Sequence, residues 1–138
     1  MKSYYEKIVV RYAETDQMGI AHHSCYPVWF EAARTGFIKM LGMSYSEVES
    51  RGLLLPLAEL NVKYRSGSYY EDQLWVKVET VKLTGARIVF GYEITRDRDK
   101  ALIATGSTTH AFTDQNIKII NIMKTHKDIY DLLATSLV

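Results

Sequence analysis

Residues 27–42 form a strongly apolar segment that begins with a proline and ends with a glycine. Proline is favoured at a first helical position, where no amide donor is needed, and glycine suits the left-handed conformation that ends helices. The spacing therefore predicts a helix that begins near Pro27 and ends by Gly42. At about 100° per residue, one wide arc of this helix is apolar; it contains Trp29, Phe30, Ala32, Ala33, Gly36, Phe37, Met40 and Leu41. A helix with so wide an apolar arc needs cover over most of its circumference, which favours a core helix wrapped by a sheet.

The polar loop before this helix carries the residue types of an acyl-transfer site. Asp16 is followed by a turn at residues 17–19, and His22, His23 and Ser24 lie at the mouth of the helix. The first amides of a helix have no internal partners and carry partial positive charge, so they can receive a developing oxyanion. A carboxylate, a histidine and a helix N-terminus on one loop are suitable parts for acyl transfer. The alternative is a surface loop with a capping residue.

The rest of the chain predicts strands grouped after the helices. A first strand is predicted at residues 7–12. The capping-box pattern at Ser44 and Glu47 predicts a short helix that ends before Gly52. Further strands are predicted at residues 57–65, 73–83, 87–96 and 101–113, with a short one at 117–120 and a terminal helix opened by a cap at 125–128 and running through Leu133. This order favours a single α+β domain, residues 1–138, with one antiparallel sheet.

In the strand at residues 73–83, alternation places Trp75 and Val81 on the face opposite the predicted core face. Apolar residues on that second face need cover, which predicts an oligomer.

Composition excludes several classes of protein. A chain of 138 residues with 47% apolar and 24% charged residues is typical of one folded domain. The formal net charge of +1 gives no global attraction to nucleic acid. The single cysteine fits a reducing compartment. The N-terminus lacks a signal-peptide pattern, and no segment approaches the roughly 20 apolar residues that span a bilayer. A cytoplasmic protein without a membrane span is expected.

The loop and helix start resemble the signature of hot-dog-fold acyl-CoA thioesterases of the 4-hydroxybenzoyl-CoA thioesterase family. The similar stretch is residues 12–34, YAETDQMGIAHHSCYPVWFEAAR, and residues 64–72, YRSGSYYED, resemble the second strand pair of that family. The matching positions are Asp16, Gly19, His23, Tyr26, Phe30, Glu31 and Arg34. The resemblance implies a central helix wrapped by an antiparallel sheet, and homodimers or homotetramers with sites at subunit interfaces.

For the site, the resemblance implies that Asp16 is catalytic, as a nucleophile or as a general base on water. It also implies that the backbone amide of His23 polarises the thioester carbonyl. No cofactor is expected, since coenzyme A is part of the substrate. Cys25 departs from the family pattern, in which an asparagine is common at that position.

Five further residues are predicted to contact the acyl-CoA substrate. The Ser24 amide is expected to share the oxyanion, and Tyr26 is a matching position at the helix start. Lys63, Arg65 and Arg87 are candidate contacts for the CoA phosphates, with solvated strand positions as the alternative.

Other readings of the same residues remain open. A thiol at a helix N-terminus has a lowered pKa, which makes Cys25 a rival nucleophile, although a small packed residue is the stronger interpretation. His110 is interpreted as a strand histidine with a local hydrogen bond, and the four histidines and one cysteine do not form a metal motif. The predicted function is acyl-CoA thioester hydrolysis. A hot-dog dehydratase or hydratase and a non-catalytic acyl-CoA-binding module are the alternatives.

Overall fold

The computed structural model describes residues 3–138 and combines one curved layer of strands with a long helix. The helices are α1 (Cys25–Leu41), α2 (Tyr45–Ser50), α3 (Ile122–Thr125) and α4 (Lys127–Ala134), with a short 3-10 helix at Tyr12–Glu14. The strands are β1 (Ser3–Val9), β2 (Leu57–Tyr64), β3 (Gln73–Leu83), β4 (Arg87–Arg96) and β5 (Leu102–Ala111). Strands grouped after the long helix confirm the α+β prediction.

Within residues 3–138 the five strands form one antiparallel sheet in the order β1-β3-β4-β5-β2. Tight hairpins join β3 to β4 and β4 to β5, as their short connections require. The chain crosses the sheet between β1 and β2, so these two strands become the opposite edges. Tyr64 at the end of β2 lies opposite Ala104 of β5, which places the β2–β3 connection near the start of β5.

One face of the sheet packs on α1. In β3 the side chains of Leu74, Val76, Val78 and Thr80 are buried and alternate with more exposed neighbours, as the period of two predicts. From α1, the Phe30 ring stacks on Tyr92 of β4 with centroids 4.2 Å apart.

The predicted apolar arc of α1 is wrong at two positions. Met40 is exposed, and Ile38 is buried in its place. Near its C-terminus the helix also contacts α2, and Ile38 lines a small cavity with Val48 of α2 and with Ile129 and Leu133 of α4.

A chain of hydrogen bonds crosses from α1 to β4 and β5. Arg34 Nη1 donates to the Tyr92 hydroxyl (3.0 Å), and that hydroxyl lies 2.6 Å from Thr108 Oγ1. His110 Nε2 lies 3.0 Å from Thr108 Oγ1, and its Nδ1 lies 3.1 Å from the Leu55 carbonyl. A carbonyl can only accept, so the imidazole proton is on Nδ1 and Thr108 donates to Nε2. The local hydrogen bond predicted for His110 is confirmed, and it is one end of a directed chain.

Two elements in the N-terminal part of the chain, β1 and α1, have limits that differ from the predicted ones. β1 ends at Val9 and not at Tyr12, because the Arg11 amide donates to the Glu14 carboxylate (2.8 Å) and turns the chain into the 3-10 helix. Helix α1 begins at Cys25, two residues before the predicted first position at Pro27. Proline is tolerated there because the amides of the first turn need no helical acceptor. The predicted end is confirmed by Gly42, which has φ 113°.

The C-terminal predictions need larger corrections. Residues 117–120 form no strand and make only an isolated bridge between Thr113 and Ile119. Thr125 does not open the terminal helix; it ends α3, which is capped by the Asn121 side chain, and α4 starts after His126. The cap predicted at Ser44 is confirmed, since its hydroxyl accepts the Glu47 amide.

None of the helices in residues 3–138 combines the length and apolar character that a membrane-spanning helix requires.

Candidate active site

The Asp16 loop is a tight turn closed on itself. The Asp16 amide donates to the Ile20 carbonyl and the Gly19 amide donates to the Asp16 carbonyl, both at 2.9 Å. Gly19 has φ 81°, a conformation that glycine adopts without steric cost. One Asp16 carboxylate oxygen accepts the Met18 amide at 2.9 Å. Among residues 3–138 no protein donor contacts the other carboxylate oxygen, so it is available to a ligand or to water.

Two neighbouring segments hold this loop in place. The Ala21 amide donates to the Ser68 carbonyl (2.8 Å), and Ile20 forms a bridge with Tyr69. The His22 amide donates to the Glu14 carbonyl (2.7 Å). The loop is therefore tied to the β2–β3 connection on one side and to the 3-10 helix on the other.

The two backbone amides just before α1, those of His23 and Ser24, differ in whether they have a hydrogen-bond acceptor. His22 Nδ1 accepts the Ser24 amide at 3.2 Å and lies 2.8 Å from the Ser24 hydroxyl. The Ser24 amide, predicted to share the oxyanion, therefore already has an acceptor. The amide of His23 has none within residues 3–138, while its carbonyl accepts the Tyr64 hydroxyl at 3.0 Å. The backbone of His23 is therefore held through its carbonyl, whereas its N–H has no acceptor in the described part of the chain.

A cavity of about 290 Å³ joins these groups. Asp16, His23, Tyr26 and Arg65, four of the residues predicted for the site, line it together. The remaining lining residues are Met18, Ile20, Ala21, Tyr64, Ser66 and Gly67. Tyr64 was missed as a site residue. It lies in the stretch 64–72 whose resemblance to the family was already noted, and that resemblance is the signal that could have found it.

The other predicted contacts lie outside this cavity. Lys63 is exposed on β2, one residue before Tyr64. Arg87 pairs with Ala111, whereas Tyr64 pairs with Ala104. Seven residues along β5 correspond to about 23 Å, so within one subunit Arg87 lies at the far end of the sheet.

Tyr26 lines the cavity, and its hydroxyl already has a hydrogen-bond partner. The side chain is buried, with the hydroxyl 3.0 Å from Ser68 Oγ. Burial raises the pKa of Tyr26, and the hydrogen bond with Ser68 opposes this only in part. The Tyr64 ring meets the Tyr26 ring edge-on, with centroids 5.0 Å apart. Both tyrosines line the cavity together with Asp16.

Cys25 has the properties of a packed residue. Its Sγ is 3.6 Å from the Glu14 carbonyl, and the side chain does not line the cavity. Burial and the nearby Glu14 carboxylate raise the pKa of the thiol, contrary to the lowering expected at a helix N-terminus. The neutral thiol is a poor nucleophile, which supports the packing interpretation.

Across residues 3–138 no group of three histidine, cysteine, aspartate or glutamate side chains is arranged to hold a metal ion.

Comparison with known proteins identifies the class to which this fold and site belong. The sequence model of the Thioesterase-like superfamily matches residues 10–129, so the chain belongs to that superfamily. YneP of Bacillus subtilis (strain 168), provisionally assigned as an acyl-CoA thioesterase, is 36% identical over 123 residues, 89% of each chain.

Solved structures agree over nearly the whole chain. The DHNA-CoA thioesterase from Staphylococcus aureus has a TM-score of 0.91 at 34% identity, covering 96% of this chain and 89% of that one. The hypothetical protein TT1821 from Thermus thermophilus has a TM-score of 0.89 at 34% identity, covering 99% and 98%. The predicted hot-dog thioesterase fold is confirmed, and so is the prediction of an enzyme of the thioesterase class.

Proposed function

We propose that this protein hydrolyses acyl-CoA thioesters to a free acid and coenzyme A. One observation carries the proposal: Asp16 and His23 lie at the two ends of one loop and line the same cavity, and the His23 amide has no acceptor in the described part of the chain. A carboxylate and an oxyanion donor around one open space are what thioester hydrolysis requires.

Asp16 acts on the thioester carbonyl carbon in one of two ways. As a general base it takes a proton from water while the water oxygen bonds to that carbon. As a nucleophile its own oxygen forms the bond, and water then hydrolyses the resulting anhydride. In both routes the carbon–sulfur bond breaks and coenzyme A leaves as a thiolate. The reaction needs only water and side chains, so the proposal includes no cofactor.

The His23 amide stabilises the negative charge that develops on the carbonyl oxygen. Loss of one such donor costs on the order of 10²–10³ in rate at comparable sites. Since the Ser24 amide is bonded to the His22 ring, the proposal assigns the oxyanion to the His23 amide.

The coenzyme A moiety enters on the side of Arg65. Arg65 lines the cavity, and the exposed Lys63 lies two residues earlier, on β2. Both cations are exposed to solvent, so their attraction for phosphate is modest and falls with ionic strength.

The proposal includes a homodimer or homotetramer. In β2 every residue except Val62 is exposed, although the strand lies at a sheet edge with a row of backbone groups free to pair. Leu57, Leu60 and Tyr64 on this edge and Val28 on α1 are exposed large hydrophobic residues. A second subunit that covers this edge satisfies both the backbone groups and these hydrophobic residues.

A hydrolysis screen tests the reaction. Release of free thiol is followed over acyl-CoA lengths and aryl-CoAs, with DHNA-CoA included because the Staphylococcus aureus relative is named for it. Asp16→Asn keeps the bond to the Met18 amide but removes the charge, so hydrolysis should fall by about 10² or more while acyl-CoA binding persists. Asp131→Asn, an exposed position on α4, is the matched control and should keep full activity.

Variants and products separate the alternatives. Cys25→Ala should retain most activity; a dead cysteine variant beside an intact Asp16→Asn would reverse the two roles. A wild-type protein that binds acyl-CoA and releases no thiol is a binding module. A protein that dehydrates a 3-hydroxyacyl-CoA without releasing thiol is a dehydratase.

A further inference from the structure

Arg96, the last residue of β4, is a buried cation outside the candidate active site. Its side chain is 9% exposed, and it does not line the cavity that contains Asp16 and His23. Its backbone closes the β4–β5 hairpin, since the Arg96 amide donates to the Ala101 carbonyl and the Lys100 amide donates to the Arg96 carbonyl, at 2.9 and 2.8 Å. The side chain makes a separate set of contacts that reach beyond this hairpin.

The Arg96 guanidinium joins the β4–β5 hairpin to the β2–β3 connection. On the hairpin side, Nε and Nη2 donate to the two carboxylate oxygens of Asp99 at 3.0 and 3.1 Å. On the other side, Nη1 donates to the Gly67 carbonyl at 3.0 Å and to Asp72 Oδ2 at 3.3 Å. A planar guanidinium has donors in fixed directions and can make these bonds together, whereas the single nitrogen of a lysine cannot.

Both acceptors on the far side hold the β2–β3 connection in place. In the described part of the chain the Gly67 carbonyl accepts from Arg96 and from no backbone amide. Asp72 is buried, and its Oδ2 also accepts the Tyr69 amide at 2.9 Å. The guanidinium carbon of Arg96 lies 5.9 Å from the centre of the Tyr69 ring. One side chain thus fixes the connection at two points.

The β2–β3 connection in turn supports the Asp16 loop. Ile20 forms a bridge with Tyr69. A Cβ at Gly67 would come within 2.9 Å of Ile20 Cγ2, so the two segments are in close contact there. The Ile20 carbonyl accepts the Asp16 amide at 2.9 Å. A short series of direct contacts therefore leads from Arg96 to Asp16.

We propose that Arg96 is a positioning residue for thioester hydrolysis, because its guanidinium holds the Asp16 loop through the β2–β3 connection. The inference rests on the proposed hydrolysis. A displacement of about 1 Å caused by a distant substitution can cost on the order of 10²-fold in rate. Asp16 lies on a loop and not in a helix or strand, so its position depends on the segments that pack against it.

Replacing the guanidinium by an ammonium tests this role. Arg96→Lys keeps the charge but cannot make all four bonds of the guanidinium, so kcat for thioester hydrolysis should fall by about 10- to 100-fold. Lys100→Gln is the matched control, because Lys100 is 77% exposed on the same hairpin and pairs with Asp97; it should keep the wild-type kcat. An unchanged kcat in Arg96→Lys would overturn the inference.

A double-mutant cycle distinguishes positioning of Asp16 from a general loss of structure. In the Asp16→Asn background the carboxylate no longer acts, so adding Arg96→Lys should cost much less than it does in the wild type. A substitution that only lowers the amount of folded protein reduces the rate by the same factor in both backgrounds. Equal factors would therefore refute a role through Asp16.

Hydrogen exchange observes the loop without any reaction. The backbone amides of residues 16–21 should exchange faster in Arg96→Lys than in the wild type, and Lys100→Gln should leave them unchanged. If thioesters are hydrolysed while Arg96→Lys keeps both its kcat and its exchange rates, the inference is refuted and the reaction stands. If no thioester is hydrolysed while exchange is faster, the reaction is refuted and the support of the loop by Arg96 stands.

Thermal unfolding of each variant verifies that it is folded at the assay temperature. Asp99→Asn replaces an Arg96→Lys protein that does not fold, because Asp99 is 43% exposed and asparagine keeps an oxygen for the Ala101 amide. It weakens the bonds that orient the guanidinium, so kcat should fall by a smaller factor, which shrinks in the Asp16→Asn background. A wild-type kcat in Asp99→Asn would then overturn the inference.

Discussion

At the scale of single residues, Glu14 organises the surroundings of Asp16. Its buried carboxylate accepts the Arg11 amide and the Trp29 indole N–H, and its carbonyl accepts the His22 amide. Burial by itself raises the pKa of Glu14, but the hydrogen bonds from Arg11 and Trp29 outweigh it and lower the pKa below the usual value. The carboxylate is therefore a stabilising group only while it is ionised.

Replacing this carboxylate should weaken the whole loop region. Glu14→Gln removes the charge and points an amide donor at one of the two N–H groups, so the free energy of unfolding should fall by about 1–3 kcal/mol. Urea unfolding of the wild type and of Glu14→Gln at neutral pH measures this difference in the free energy of unfolding. Glu49→Gln, at an exposed position on α2, is the control and should change little. An unaltered midpoint for Glu14→Gln would show that the carboxylate carries no such role.

The sign of the pH dependence follows from the lowered pKa. The contribution of Glu14 is present above the carboxyl's unfolded pKa and is lost as the pH falls through its lower folded pKa. The difference in stability between wild type and Glu14→Gln should therefore shrink on acidification.

At the scale of elements, the chain of side-chain hydrogen bonds that begins at Arg34 and includes His110 joins α1 to the sheet. It runs through Tyr92 and Thr108 and ends on the Leu55 carbonyl. Burial, and then the nearby Arg34 charge, lower the pKa of His110 to about 4, although the Leu55 hydrogen bond opposes the shift. A second proton would also break the chain, because the protonated Nε2 can no longer accept from Thr108.

This neutral histidine predicts a loss of stability in mild acid. Between the unfolded pKa of 6.5 and the folded value of about 4, the unfolded state binds more protons, so the free energy of unfolding falls as the pH falls through this window. The total loss from this group is about 3 kcal/mol. Urea unfolding at pH 4 to 7 should show that His110→Gln loses stability less steeply than wild type. Parallel curves for the two proteins would contradict the assignment.

At the scale of the whole molecule, the sheet ends in two edges of different character. β1 is followed by the site loop, while β2 exposes nearly all of its side chains. An exposed, apolar edge strand is a surface that proteins normally cover. Covering it with a second copy satisfies both the backbone groups and the hydrophobic residues.

A charge on this edge should prevent assembly. Wild-type protein at micromolar concentration should scatter light as a dimer or larger, at a multiple of the subunit mass of 15.8 kDa. Leu60→Glu should shift the protein toward the monomer, because each subunit buries an unpaired carboxylate. Ile119→Glu, exposed elsewhere on the surface, should not. A wild-type mass equal to one subunit would remove the interface from the proposal.

Much of the fold could be predicted from the sequence because the signals are local. The wide apolar arc required a covered helix, Gly42 ended it, and the alternation from Leu74 to Thr80 placed one face of β3 in the core. The Asp16 loop and His23 were predicted as site residues in the same way, since carboxylate, turn and helix start follow one another within a few residues. Such features depend on local backbone preferences and on the regular spacing of apolar residues along a helix or a strand.

Only the tertiary structure decided which residues meet across the chain. Tyr64 and Arg65 line the same cavity as Asp16 because of the register of β2 on β5. The register of β4 on β5 places Arg87 at the opposite end of the sheet. Gly106 looks in sequence like a weak point of a strand, yet a Cβ there would collide with the Asn61 carbonyl and come within 2.7 Å of the Phe30 ring. The register of strands distant in sequence and the side-chain contacts that it creates are set by packing of the whole core. Local sequence preferences do not show them, and so the cavity lined by Asp16, His23 and Tyr64 became visible only in the folded molecule.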